Sequence, residues 1–139
     1  MTTPTAAIHA ILTADATLGA LLPGGIYKGL PEITRQTAPG AFDASSELRP
    51  CALVKAEGER DDGPRRIAGS QLVGVWVYHR TDDEAVEAAL ERIHALLHRR
   101  SLGVGMWEAA RASATWGWRD VALAARGGVA RYAVAVYRG

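Results

Sequence analysis

The chain has 139 residues, within the roughly 100 to 200 residues of one domain and long enough to bury about two-thirds of its unfolded surface. With 48% hydrophobic and 22% charged residues it has an ordinary globular balance, which excludes a disordered tail, a collagen-like rod and a coiled coil. Sixteen Lys plus Arg against fifteen Asp plus Glu leave a formal charge of +1, far from the basic excess of a protein that neutralises phosphates, so specific nucleic-acid recognition is not expected.

The single cysteine, Cys51, excludes an intramolecular disulfide and a cysteine metal cluster, and fits a reducing compartment. Met1-Thr2-Thr3-Pro4 has no basic start followed by an apolar run. The longest apolar stretch, residues 72–78, is far below the ~18 residues that span a bilayer. These features predict a soluble, unsecreted chain with no membrane partner.

The first element reads as a helix. Thr3 caps it, Pro4 occupies the first helical position, where a missing N–H costs nothing, and Ile8, Ile11 and Leu12 share a face before it ends near Ala14. A short second helical turn over residues 15–22 has Asp15 as its cap and Leu18, Leu21 and Leu22 as its apolar side, until Pro23-Gly24-Gly25 stops it. Ile26 and Tyr27 predict a brief strand. Residues 30–50 hold Pro31, Pro39, Pro50, Gly40 and Ser45-Ser46 without a steady period, so they read as a long loop. Loops of that length are usually functional or mobile.

Pro50 can precede a strand without donating to its ladder, and residues 51–56 follow with β-compatible composition. Residues 58–69 are charged and turn-rich, with Glu59, Arg60, Asp61, Asp62, Gly63, Pro64, Arg65 and Arg66, and predict a solvated, projecting connection between antiparallel strands. In residues 72–78, Leu72, Trp76 and Tyr78 fall on one face and Val73, Val75 and Val77 on the other. That pattern marks a strand covered on both sides, near the centre of a sheet.

Thr81 or Asp82 caps the clearest helix, over residues 83–100, with Asp83, Glu84 and Glu87 near its positive end and His98, Arg99 and Arg100 near its negative end. Val86, Ala89, Leu90, Ile93, Leu96 and Leu97 recur at three- and four-residue spacing, enough for one face to lie on the sheet. Ser101-Leu102-Gly103 ends it. The remainder reads as a segment with Val104, Met106 and Trp107, another over residues 112–119, a turn at Gly127-Gly128 and a last strand over residues 129–137. This order predicts an α+β fold: a mainly antiparallel sheet of four or five strands with two main helices packed on one face.

Few residues carry recognisable chemistry. Glu87, Glu91, His94 and His98 follow one another at steps of four, three and four residues, which places them in one helical stripe that can hold a divalent metal. The stripe is expected opposite the apolar face, and one surface helix supplies neither a closed cage nor a second shell, so a solvated face is the plainer reading and no metal or other cofactor is expected. Gly69-Ser70 lacks the second glycine of a nucleophile elbow, and Gly103-Val104-Gly105 lacks the third glycine and the strand-to-helix setting of a pyrophosphate loop. Cys51, opening an apolar strand with no histidine at a telling spacing among His9, His79, His94 and His98, reads as a small buried hydrophobe.

The pairs Arg65-Arg66 and Arg99-Arg100 suit partner contacts or solubility, since Asp61 and Asp62 accompany the first and the second completes a helix end. Trp116 and Trp118 project to the same side if their segment is a strand, either into the core or as anchors of a subunit interface.

With its elements placed, the chain resembles the small bacteriophage tail-completion, or tail-terminator, family, which also occurs in phage-derived gene-transfer particles. The resemblance rests on an amino-terminal helix followed by Asp15-Ala16-Thr17-Leu18-Gly19-Ala20-Leu21-Leu22, then Gly24-Gly25-Ile26-Tyr27, and then a proline-rich loop. It continues through the proline-led strand Pro50-Cys51-Ala52-Leu53-Val54, the charged connection, the strand at 72–78, the helix at 83–97, and Arg131-Tyr132-Ala133-Val134-Ala135-Val136 as closing strand. It implies a non-enzymatic virion protein of the tail or neck, assembled in the bacterial cytoplasm. Such a protein forms a ring, commonly hexameric, that sits on the last tail-tube ring, stops its polymerisation and offers a surface to the head-side connector. A head-tail adaptor or stopper is the neighbouring alternative, and a small metal-binding enzyme domain the alternative of another class.

A cyclic ring uses heterologous contacts, one patch meeting a different patch on the next copy. The connection at 58–69, with Arg60, Asp61, Asp62, Arg65 and Arg66, and the loop at 30–50 are the expected sources of contacts to neighbours, tube or connector, together with Trp116 and Trp118.

Overall fold

The computed structural model describes residues 3–61, 68–103 and 106–137. Helix α1 (Pro4–Thr13) starts where the Thr3 hydroxyl accepts a hydrogen bond from the Ala6 amide at 3.1 Å, and it buries Ala7, Ile8 and Leu12. Helix α2 (Ala16–Leu21) begins at Asp15, whose carboxylate accepts from the Leu18 amide at 2.8 Å, and it buries Leu18. Then come β1 (Ile26–Lys28), β2 (Cys51–Asp61), β3 (Ala68–His79), α3 (Asp83–Leu97), β4 (Met106–Asp120) and β5 (Ala125–Tyr137). The strands form one sheet in the order β1-β2-β3-β5-β4, with β1 parallel to β2 and every other pairing antiparallel. The expected α+β fold is borne out, with α2 as a short third helix.

All three helices contribute to one core, against Ala52 and Val54 of β2, Val73, Val75 and Val77 of β3, and Ala130, Tyr132 and Val134 of β5. The apolar stripe of α3 supplies Val86, Ala89, Leu90, Ile93 and Leu97, all buried. Burying a Val, Leu or Ile side chain contributes about 1.5–3 kcal/mol, so this stripe far outweighs the helix's intrinsic propensity. Two ion pairs clip α3 in place. Arg92 meets Asp15 at 2.7 and 2.9 Å, joining α3 to the start of α2, and Arg126 of β5 meets Asp83 at 2.7 and 2.9 Å.

The other face of the sheet is covered by the segment 30–50, which the sequence presents as a mobile loop. Ile33, Ala38, Ala41 and Leu48 are buried there against Cys51, Leu53 and Tyr78. The segment is tied to itself: Asp43 accepts from the amides of Ser45 and Glu47, Phe42 bridges Leu48, and Arg35 donates to the Ser46 carbonyl at 2.6 Å while lying over the Phe42 ring. It is a second layer without regular secondary structure, apart from a 3-10 turn at Pro39–Ala41.

Three other expectations are corrected. The charged connection is shorter than residues 58–69, because Gly58 to Asp61 pair with Leu72 to Gly69 across a bulge after Ala56. Backbone hydrogen bonds continue a ladder whatever the polarity of the side chains. The final third holds one long strand, β4, in place of two segments. Gly127 and Gly128 lie inside β5, and the turn is at residues 121–124. The pair is there for close packing: a Cβ on Gly128 would sit 2.8 Å from both Val86 Cγ1 and Leu90 Cδ1 of α3, while the Trp118 ring takes the corresponding place at Gly127 on the opposite face.

Candidate interaction surface

The sheet has two dissimilar edges. Strand β1 at one end spans three residues, whereas β4 at the other spans fifteen and pairs only with β5. An unpaired strand edge is a template for another chain. Along it the small, exposed Ala110, Ala112, Ser113 and Thr115 are interspersed with the longer, exposed Arg111, Trp116 and Arg119. Register shifts between Met106 and Ala109, Arg111 and Ser113, and Trp116 and Trp118 bend the strand, a feature that limits indiscriminate edge pairing.

The last shift decides where the tryptophans go. Gly117, with φ of +83°, takes the left-handed bulge position open to glycine. Two residues across a bulge no longer share a face, which corrects the same-side expectation. Trp118 turns to the face covered by segment 30–50, where it makes edge-on contacts with Trp76 at 5.8 Å and Tyr78 at 6.1 Å between ring centres. Trp116 turns to the helix face and remains 49% exposed. Trp118 thus packs on the core, while Trp116 is left half exposed.

Beside Trp116 an open groove of about 340 Å³ runs between α3 and β4, lined by Glu87, Leu90, Glu91, His94, Ala95, Arg111 and Ala114. It continues past His94 and Arg111 into a second hollow of about 400 Å³ that reaches His98, Arg99, Ala109 and Ala110. The stripe Glu87, Glu91, His94 and His98 therefore borders the apolar face along β4, and the expectation that it lies opposite that face is corrected. Among the described residues no group of three His, Cys, Asp or Glu side chains could hold a metal ion. His94 instead has Nδ1 3.3 Å from the Tyr132 hydroxyl and its ring 4.8 Å from that of His98. Desolvation, with Arg111 and His98 adding to it, holds the His94 imidazole below its ordinary value, so it favours the neutral form.

The other candidates are scattered. Arg60 and Asp61 end β2, paired with Ser70 and Gly69, and Asp62, Arg65 and Arg66 lie outside the described residues. Cys51 is buried at the start of β2, where burial pushes its thiol up to about 12; a thiol so rarely ionised is a poor nucleophile. Sequence reasoning missed Arg111, which shares both hollows with His94. Its one signal is an arginine set among the small residues Ala109, Ala110 and Ala112.

No protein-family model matches the sequence, and no curated protein does. Among solved structures, a chain of the virion of a native gene transfer agent particle superposes with a TM-score of 0.69, covering 96% of this chain and 94% of that one at 18% identity. The likeness at this identity is one of fold, and it extends over nearly the whole of both chains.

Proposed function

We propose that the protein is a structural, non-enzymatic virion component that forms a ring closing the tail tube at its junction with the head. The observation that carries this reading is the near-complete overlap of fold with a chain of a gene transfer agent virion. The asymmetry of the sheet supports it: a long open β4 edge with exposed Trp116 on one side and short β1 on the other offers two different patches, as head-to-tail ring closure requires. The partners in this reading are further copies of the chain, commonly six, the tail-tube protein and the head-side connector.

Deleting the gene in a strain that makes the particles tests it. Tails of uncontrolled length lacking heads are expected. Tails of normal length that fail to join heads would move the role to a neck adaptor, and intact infectious or transducing particles would refute the virion role.

A further inference from the structure

The hollow at the end of α3 gathers basic side chains from two elements. His94 and His98 come from the last turn of α3 and its C-cap, Arg99 follows the cap, and Arg111 comes from β4, all lining one space floored by Ala109 and Ala110. Among the described residues none of the four belongs to an ion pair. The helix's negative end favours His98 and Arg99, but Arg111 belongs to another element and faces the hollow from across it.

Arg99 adds an independent observation. Its φ is +56°, in the left-handed region that glycine normally fills after a helix C-cap. Its backbone is fixed there by the Arg99 amide donating to the Ala109 carbonyl, and by the Ala109 amide donating to the Arg100 carbonyl, each at 3.3 Å. A cationic side chain therefore occupies a position where glycine would relieve the strain, at the border of a hollow already lined by three other basic groups.

We propose that this hollow is an anion site that takes a single carboxylate. A nucleic-acid backbone fits it less well. Such a polymer needs an extended basic track, and the track ends at once: past His94 the continuous groove is bordered by Glu91 and Glu87. The titratable and charged groups around His94 are Glu87 and Glu91 on α3, His98 and Arg99 at its end, Arg111 on β4 and Tyr132 on β5. A bound carboxylate opposes the pull of Arg111 and His98 and raises the His94 pKa, so binding strengthens as pH falls. The site is a property of one chain and does not depend on the ring.

The experiment is an NMR pH titration of the His94 and His98 ring resonances in the full-length protein. Sodium acetate, inorganic phosphate and a single-stranded oligonucleotide are each compared with sodium chloride at equal ionic strength. Acetate is expected to raise the His94 pKa by about half a unit or more. Arg111→Gln and Arg99→Gly are expected to abolish that response, and exposed Arg119→Gln to keep it. Arg99→Gly should also raise the melting temperature, separating loss of the site from loss of the fold. No acetate response, or one indifferent to Arg111 and Arg99, overturns the proposal. A response to phosphate or the oligonucleotide without one to acetate overturns the carboxylate assignment.

Discussion

The indole of Trp118 occupies the space in which a side chain on Gly127 would stand. That relationship joins the bulge at Gly117, the aromatic contacts with Trp76 and Tyr78, and the glycine pair of β5 into one packing arrangement. Gly127→Val forces the ring or the strand aside. It should destabilise the protein by about 1–3 kcal/mol, as overpacking does. Chemical denaturation followed by tryptophan fluorescence checks this, and Gly128→Val, driven into Val86 and Leu90, should cost at least as much.

Acid should loosen the clips on α3. The Arg92 guanidinium beside Asp15 and the Arg126 guanidinium beside Asp83 hold both carboxyls below the ordinary value of 3.8. A group whose pKa is lower folded than unfolded adds stability that is present above the unfolded value and lost as pH falls through the folded one. Stability should therefore drop as pH falls below about 4. Asp83→Asn should flatten that dependence while lowering stability at pH 7, as measured by urea midpoints across pH. Asp15→Asn should do the same, with a smaller effect on the α2 cap because asparagine caps as well as aspartate.

Cys51 should behave as a packed core atom. In the native protein at pH 8 it should resist a thiol reagent such as DTNB, reacting only at the rate of unfolding, because its thiol is buried and its pKa is raised. Rapid stoichiometric labelling without denaturant would show that the start of β2 is open.

Trp116 should matter to assembly more than to folding. With half its surface exposed, Trp116→Ser should lower stability by about 1 kcal/mol or less, while weakening association of copies about tenfold or more if it anchors the contact. Sedimentation and thermal melts of the same samples separate the two effects.

The sequence makes the central strand and the long helix legible because each is a periodic pattern with local signals. Val73, Val75 and Val77 alternate, Asp82 caps, and Val86 through Leu97 repeat at helical spacing. What it hides depends on partners distant in the chain. Gly127-Gly128 is locally a turn signal, and only the nearness of α3 and Trp118 makes it a strand with both faces pressed. The opposite orientation of Trp116 and Trp118 follows from one bulged residue that no periodicity announces. Residues 30–50 lack a period because they form a layer by turns and side-chain bonds rather than by a repeating backbone. The hollow between α3 and β4 was half visible, since His94 and His98 share a helical stripe, but Arg111 reaches them only once β4 takes its place at the sheet edge.

Ring formation is the central claim, and the mass of the purified protein by light scattering across a concentration series, with negative-stain images of the same samples, tests it most directly. Closed rings of about six copies are expected, alone or on adding tail-tube protein, and should fall apart in Trp116→Ser. A monomer at every concentration, with and without the tail-tube protein, would contradict it.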